Sequence, residues 1–326
     1  MRHSKTSITM AASSDRLLLP ASQRLRQRRD ALKRLVAPAG GFFLAGCGTP
    51  AFAQVATKPA GAPAATVPAP APIRDKGYQL VQNWDFASTV TNDQQLRAAF
   101  HTRYIYDNGK LDKLNDEWQR FRDNNNHVFR DGMLVLVARP SAGAESSLAS
   151  GKIDSGMLRS KWAGQYGYFE CRMKVPPGRG LWPAFWLNPE DKTWPPEIDI
   201  VEIVNNGRDT TRNSFHYVHG GEPPSGKVVT SLLNPNKTYK PGFDYADDFH
   251  TFAVEWTADR TRHFVDDVLV VEREFRWVHK NGSDAGPAHV LLNLAVGGGW
   301  PGAPGADALP AELRVRYIRV WQQQPR

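Results

Sequence analysis

Between Glu197 and Glu202 the chain sets three carboxylates inside a β-branched run, Glu197-Ile198-Asp199-Ile200-Val201-Glu202, followed by Ile203 and Val204. Branching at Cβ favours an extended backbone. Side chains of a strand alternate between its faces, so Glu197 and Asp199 point the same way. Strict alternation sends Val201 to that face and Glu202 to the other. One inserted residue, a β-bulge, returns Glu202 to the side of the other two. Three like charges on one strand face repel. A chain that keeps them together has a use for them.

Carboxylates in this arrangement suit three roles. A pair flanking a bond is the requirement for glycoside hydrolysis, one ionised as nucleophile and one protonated as acid. In a retaining mechanism the two carboxyl groups stand about 5–5.5 Å apart. A central Asp199 can share a proton or hydrogen bond with its neighbours and split their titrations. A solvated acidic face and a calcium site are the competing readings, and the spacing alone does not choose between them.

The flanking segments narrow the choice. Upstream stand Tyr166-Gly167-Tyr168-Phe169-Glu170 and Gly180-Leu181-Trp182-Pro183-Ala184-Phe185-Trp186-Leu187. Downstream come Leu292-Asn293-Leu294-Ala295-Val296-Gly297-Gly298-Gly299-Trp300-Pro301-Gly302 and Tyr317-Ile318-Arg319-Val320-Trp321. This ordered set resembles glycoside hydrolase family 16, the group of laminarinases, lichenases, agarases and carrageenases. The resemblance runs from about Gln79 to Gln322. It implies an all-β jelly-roll sandwich of two antiparallel sheets with a concave substrate cleft. It also implies Glu197 as nucleophile, Glu202 as acid/base and Asp199 as their assistant, with retention of configuration through a glycosyl-enzyme. On this reading Glu202 carries the proton before attack, and neighbouring carboxylates raise its pKa.

Other residues are expected around the sugar. Trp182 and Trp186 are four apart and share a strand face. Trp194 precedes Pro195-Pro196 at the start of the acidic strand, and Trp300 sits in a glycine-rich loop. The resemblance adds His216, Asn126 and Arg159 as cleft-side positions. Many relatives carry an aspartate just before the Tyr of the last strand, where it helps to hold a structural calcium ion. Here that position is Arg316, and the family's opening Asp-Glu-Phe pattern is Trp84-Asp85-Phe86. Both departures argue against the cation, so no metal and no cofactor are expected.

Charge excludes one function class. The whole chain carries a formal net charge of +8. Residues 1–53 hold nine of the 41 Lys and Arg and two of the 33 Asp and Glu. The remaining 32 and 31 leave a net charge near +1. The basicity belongs to the leader, so it gives no ground for a nucleic-acid partner. No apolar run approaches the roughly 20 residues that span a bilayer.

Arg28-Arg29-Asp30-Ala31-Leu32-Lys33 resembles a twin-arginine export signal, and Ala51-Phe52-Ala53 offers a small-x-small cleavage site before Gln54. Leu44-Ala45-Gly46-Cys47 also resembles a lipobox, so a lipid-anchored form through Cys47 is the competing reading. The expected organisation is an export signal over 1–53, an Ala/Pro-rich linker over 54–76 and one catalytic β-sandwich over 77–326. Strands are expected at Met133–Ala138 after an Asp131-Gly132 turn, at Thr251–Trp256, and on either side of Asp266-Asp267. Leu111 to Phe121 reads as a short helix or an irregular loop. After cleavage Cys171 is the remaining cysteine, expected as a small buried residue.

The sequence therefore describes an exported, monomeric endo-β-glycanase whose partner is a polysaccharide or oligosaccharide, β-1,3- or mixed-linkage glucan first. A β-galactan hydrolase, a transglycosylase and a carbohydrate-binding protein on the same scaffold are the alternatives.

Overall fold

The computed structural model describes residues 67–144, 148–220 and 239–323. The expected export signal, its cleavage site, Cys47 and the linker up to residue 66 lie outside the described residues. Sixteen strands carry the described chain. In the first half they are β1 (Tyr78–Asp85), β2 (Phe100–His101), β3 (Gln119–Phe121), β4 (His127–Arg130), β5 (Met133–Pro140), β6 (Ile153–Ser155), β7 (Met157–Gly164) and β8 (Gly167–Lys174). The second half adds β9 (Leu181–Pro189), β10 (Glu197–Glu202), β11 (Phe215–His219), β12 (His250–Trp256), β13 (Arg260–Val265), β14 (Val268–Glu274), β15 (Ala288–Val296) and β16 (Ala311–Gln323). A single full α-helix turn pair, α1 (Asp93–Ala99), is capped by the Asn92 side chain, which accepts from the Gln95 N–H at 3.0 Å.

The strands form two sheets, the two layers of a jelly-roll sandwich. The larger runs β14-β13-β12-β8-β16-β5-β6-β3, with β1 also on β16 and β4 on β5. The smaller runs β11-β10-β9-β15-β7-β2. The tight hairpins follow from turn chemistry. Asp131 and Gly132 take φ of 53° and 67°, and Asp266 and Asp267 take 47° and 65°. Two successive left-handed residues match the twist of paired strands, and Asp and Gly tolerate them best.

The core lies between the sheets. Phe169, Cys171 and Met173 of β8 and Phe252, Val254 and Trp256 of β12 belong to one apolar cluster with Phe185 and Leu187 of β9 and Val290, Leu292 and Leu294 of β15. Alternate residues of β9 and β15 leave this core and face the other way. Cys171 is fully buried, and burial pushes its thiol well above the usual range. It is packing, as its sequence context implies.

One stretch differs from expectation, and a second resolves an open alternative. Residues 67–76 are not simply linker: Val67, Ala69 and Ile73 pack against Tyr168, Ala253, Phe264 and Trp321 on the outer face of the larger sheet. Lys76 closes the segment with an ion pair to Glu255 at 2.9 Å. Ala/Pro composition hides the one branched side chain that matters, Ile73, and says nothing of an aromatic sheet face that needs cover. Leu111 to Phe121 is loop ending in the short β3, with no helix. Among the described residues no helix is long and apolar enough to cross a membrane.

Ile73 is fully buried. Ile73→Ala should cost about 2–4 kcal/mol of stability, in the range for buried aliphatic truncations. Urea unfolding of the exported form would show it, and an unchanged midpoint would mean that the segment does not dock.

Candidate active site

The acidic strand carries the bulge that its spacing requires. On one edge of β10, Asp199 pairs with Trp186 and the next pair is Val201 with Phe185. On the other edge, Asp199 pairs with Tyr217 and the next pair is Glu202 with Phe215. Ile200 takes part in neither ladder and is the inserted residue. Ile200 and Val201 both enter the inter-sheet core. The alternation resumes one residue late, and Glu202 lines the same cavity as Glu197 and Asp199.

The three carboxylates are 4%, 1% and 0% exposed in chain order. Burying them demands donors. The Trp194 indole N–H donates to Glu197 Oε2 at 2.8 Å, and the Trp182 indole N–H donates to Glu202 Oε1 at 2.9 Å. His219, opposite Glu197 on β11, brings Nε2 to 3.2 Å from Asp199 Oδ2 and 3.7 Å from Glu197 Oε1. The third indole on this face, Trp186, donates to Asn293 Oδ1 at 2.8 Å and packs on Tyr104.

The loop before β3 closes one side of the cavity with Asn115 and Glu117. Glu117 Oε2 accepts from Gln119 Nε2 at 2.6 Å and from the Leu114 N–H at 3.3 Å. The glycine run after β15 serves this loop. A Cβ on Gly297, at φ 73°, would stand 2.4 Å from the Trp118 ring. The Gly299 N–H donates to Asp116 Oδ2 at 2.7 Å.

The structure places the four expected tryptophans at or beside the cleft. Trp182 and Trp186 line the cavity, as residues four apart on one strand should. Trp300 stands beside them, edge-on to Trp182 at 5.2 Å and to Phe215 at 5.0 Å. Trp194 flanks the opposite end, tilted over His219 at 6.0 Å. Arg159 lies on β7 opposite Leu291, and its Nε donates to the Arg103 carbonyl at 3.2 Å. It is not among the residues that line the cavity around the carboxylates.

Two expectations fail. His216 points into the sandwich: its Nδ1 lies 2.6 Å from the Ile200 carbonyl, and its ring meets His263 of the opposite sheet. Alternation along β11 puts Phe215, Tyr217 and His219 on the cleft side and His216 behind it. Asn126 is fully buried beside β5, its Nδ2 donating to the Val137 carbonyl at 2.8 Å, and does not line the cavity. Sequence reading missed His219, Tyr104, Asn115, Glu117 and Asn293. His219 was within reach, because antiparallel pairing of Glu197 with the next strand selects one histidine of His216-Tyr217-Val218-His219. The loop residues carry no periodic signal.

Comparison with known proteins agrees with this geometry. The model of the family "Glycosyl hydrolases family 16" matches residues 115–319. This chain belongs to that family. A beta-glucanase of Rhodothermus marinus is 34% identical over 209 residues, 59% of this chain and 68% of that protein. An endo-1,3-1,4-beta-glycanase of Rhizobium meliloti is 33% identical over 214 residues, 64% of this chain and 42% of the relative. The laminarinase catalytic domain from Thermotoga maritima superposes with a TM-score of 0.59 at 27% identity, covering 76% of this chain and 99% of that one. As a glycoside hydrolase of family 16, the protein uses a retaining mechanism.

The calcium position of the family does not suit an ion in this member. Asp85 accepts from the Ala87 N–H and the Ser88 hydroxyl and pairs with Arg319 at 3.1 Å. The Arg316 guanidinium lies over the Phe249 ring. Arg319 thus holds the Asp85 carboxylate that a cation would need. Among the described residues, metal-like spacing occurs at Glu197, Asp199 and His219, whose ligand atoms lie within 4.8 Å of one another. The Trp194 N–H already takes one Glu197 oxygen, and His219 Nε2 stands beside Asp199 and the other Glu197 oxygen. Reducing-end release should be unchanged by excess EDTA. Loss of activity restored by a single divalent ion would instead assign a metal to these three residues.

Proposed function

We infer that this protein is a retaining endo-β-glucanase acting on β-1,3- or mixed-linkage glucan, with Glu197 as nucleophile and Glu202 as acid/base. The observation that carries the reading is the pair itself: two glutamates on one face of a bulged strand, each oriented by an indole N–H. The glucanase and laminarinase activities named for its relatives support the substrate class.

The chemistry follows from the placement. A Glu197 oxygen attacks the anomeric carbon as Glu202 gives its proton to the departing glycosidic oxygen. The glycosidic bond breaks and a glycosyl ester on Glu197 forms. Glu202, now ionised, takes a proton from water, whose oxygen displaces Glu197 and restores both groups. Asp199 and His219 stand against Glu197 and orient it. Groups able to meet sugar extend to both sides of β10: Phe215 and Tyr217 on β11, and on the other side Trp182 and Trp186 on β9, Asn293 on β15 and Asn115 on the loop before β3. Sugars held on both sides of the scissile bond suit internal cleavage. Both glutamates and their donors come from one chain, so the site is complete in a monomer.

Glu197→Ala should abolish turnover without unfolding the protein, and azide should restore part of it as a glycosyl azide of inverted configuration. Glu202→Gln should lose far more activity on polysaccharide than on an aryl glycoside with a good leaving group, and its pH–rate profile should lose the alkaline limb. Reducing-end assays on laminarin, lichenan and agarose test the substrate. Release from agarose alone would make the enzyme a galactanase, and binding without release from any would make it a carbohydrate-binding protein.

Export is part of the proposal and rests on the leader, Arg28-Arg29 and Ala51-Phe52-Ala53. Changing both arginines to lysine should hold the precursor in the cytoplasm, and mass spectrometry of the exported form should find a terminus near Gln54. An acylated Cys47 terminus would establish a lipoprotein.

A further inference from the structure

A bulge frees backbone groups from the ladder, and one freed inside a core needs a partner. Behind β10 the carbonyl of the bulged Ile200 is met by His216 Nδ1 at 2.6 Å. A second imidazole, His263 Nδ1, stands farther off at 3.4 Å. The protons of this cluster can be placed. Burial lowers the His216 pKa to about 4, so the ring is neutral at physiological pH. A carbonyl only accepts, so Nδ1 carries the hydrogen and Nε2 is an acceptor. The Ser214 hydroxyl, 2.8 Å from Nε2, therefore donates to it. The Tyr245 hydroxyl, 2.9 Å away, donates to Ser214 in turn. One directed chain runs Tyr245 to Ser214 to His216 to the bulge.

The backbone that carries the imidazole is itself anchored. Arg273 of β14 is buried and donates Nη2 to the His216 carbonyl at 2.6 Å. The ring itself bonds Ile200 of the smaller sheet and meets His263 of the larger edge-on. We propose that His216 is a positioning residue for catalysis: from inside the sandwich its Nδ1–H holds the carbonyl of Ile200 and so keeps Glu202, two residues on, aimed at the leaving group. The inference rests on the glucanase reading and deepens it, since nothing in the cleft touches His216.

The test separates positioning from plain stability by leaving-group dependence. A misdirected acid matters for a sugar leaving group and little for one that departs unprotonated. His216→Leu should lower kcat on the polysaccharide by about tenfold or more with KM little changed, yet lower the rate on an activated aryl glycoside by less than about threefold. In His216→Asn the amide nitrogen stands near the former Nδ1, and most of the selectivity should return. Ser214→Ala leaves His216 present but releases its far nitrogen, and should shift the polysaccharide-to-aryl ratio by about two- to fivefold in the same direction. Equal losses on both substrates, a wild-type-like Leu variant, or an Asn variant as poor as Leu would each overturn the proposal. If the Leu variant does not fold, the Ser214→Ala ratio decides, and an unchanged ratio overturns it. A wild type inactive on every glucan would sink the proposed function instead, a result these variants cannot produce.

Discussion

A strand with a strict two-residue repeat cannot present Glu197, Asp199 and Glu202 on one side. The single residue that breaks the repeat, Ile200, belongs to no ladder, and much of the molecule is arranged around that fact. Because of it, two neighbours, Ile200 and Val201, both enter the core, and Glu202 returns to the cleft. A buried carbonyl without a donor costs about 1–3 kcal/mol. The sandwich supplies one in His216. Core and cleft thus meet at this peptide unit as well as through the β10 side chains packed in the core.

The second constraint is charge. Three buried carboxylates within six residues would be neutralised most simply by arginine or lysine, yet neither is among the residues lining the cavity around them. A cation in direct contact would commit a carboxylate to its ionised form, whereas a proton donor must be able to hold its proton. Indole N–H groups orient an oxygen and carry no net charge. Arg273, the cation felt by Asp199, lies behind the strand, where burial lowers its own pKa to about 10. It acts on the group through the sheet, from the side away from the cleft.

What was legible in the sequence was what periodicity controls. The acidic motif conflicts with a two-residue period, so the conflict itself announced the bulge. Trp182 and Trp186 fell on one face by counting, and the Asp131-Gly132 and Asp266-Asp267 turns followed from the few residues that accept positive φ. The family resemblance assigns His216 to the cleft side, and only the pairing of Glu197 with His219 tells which ring reaches the cleft. Asn126 was misplaced for a related reason: a buried amide that donates to a carbonyl has the same letter as one that meets sugar. Residues 67–76 and the loop carrying Asn115 and Glu117 have no period at all, and their positions depend on surfaces built by distant strands.

That division has a physical logic. The groups assigned to bond cleavage sit on β10, hydrogen-bonded on both edges and packed from behind, where small displacements meet a dense core. Groups that add to the cavity from outside the sheet, Asn115 and Glu117, ride on a loop fixed at a few points: the Trp118 contact with Gly297, the Asp116 bond to Gly299 and the Trp118 N–H to the Val296 carbonyl at 2.8 Å. Those points tie the loop to the end of β15 and not to β10. A change in that loop therefore reaches the cavity wall without passing through the bulge or its imidazole.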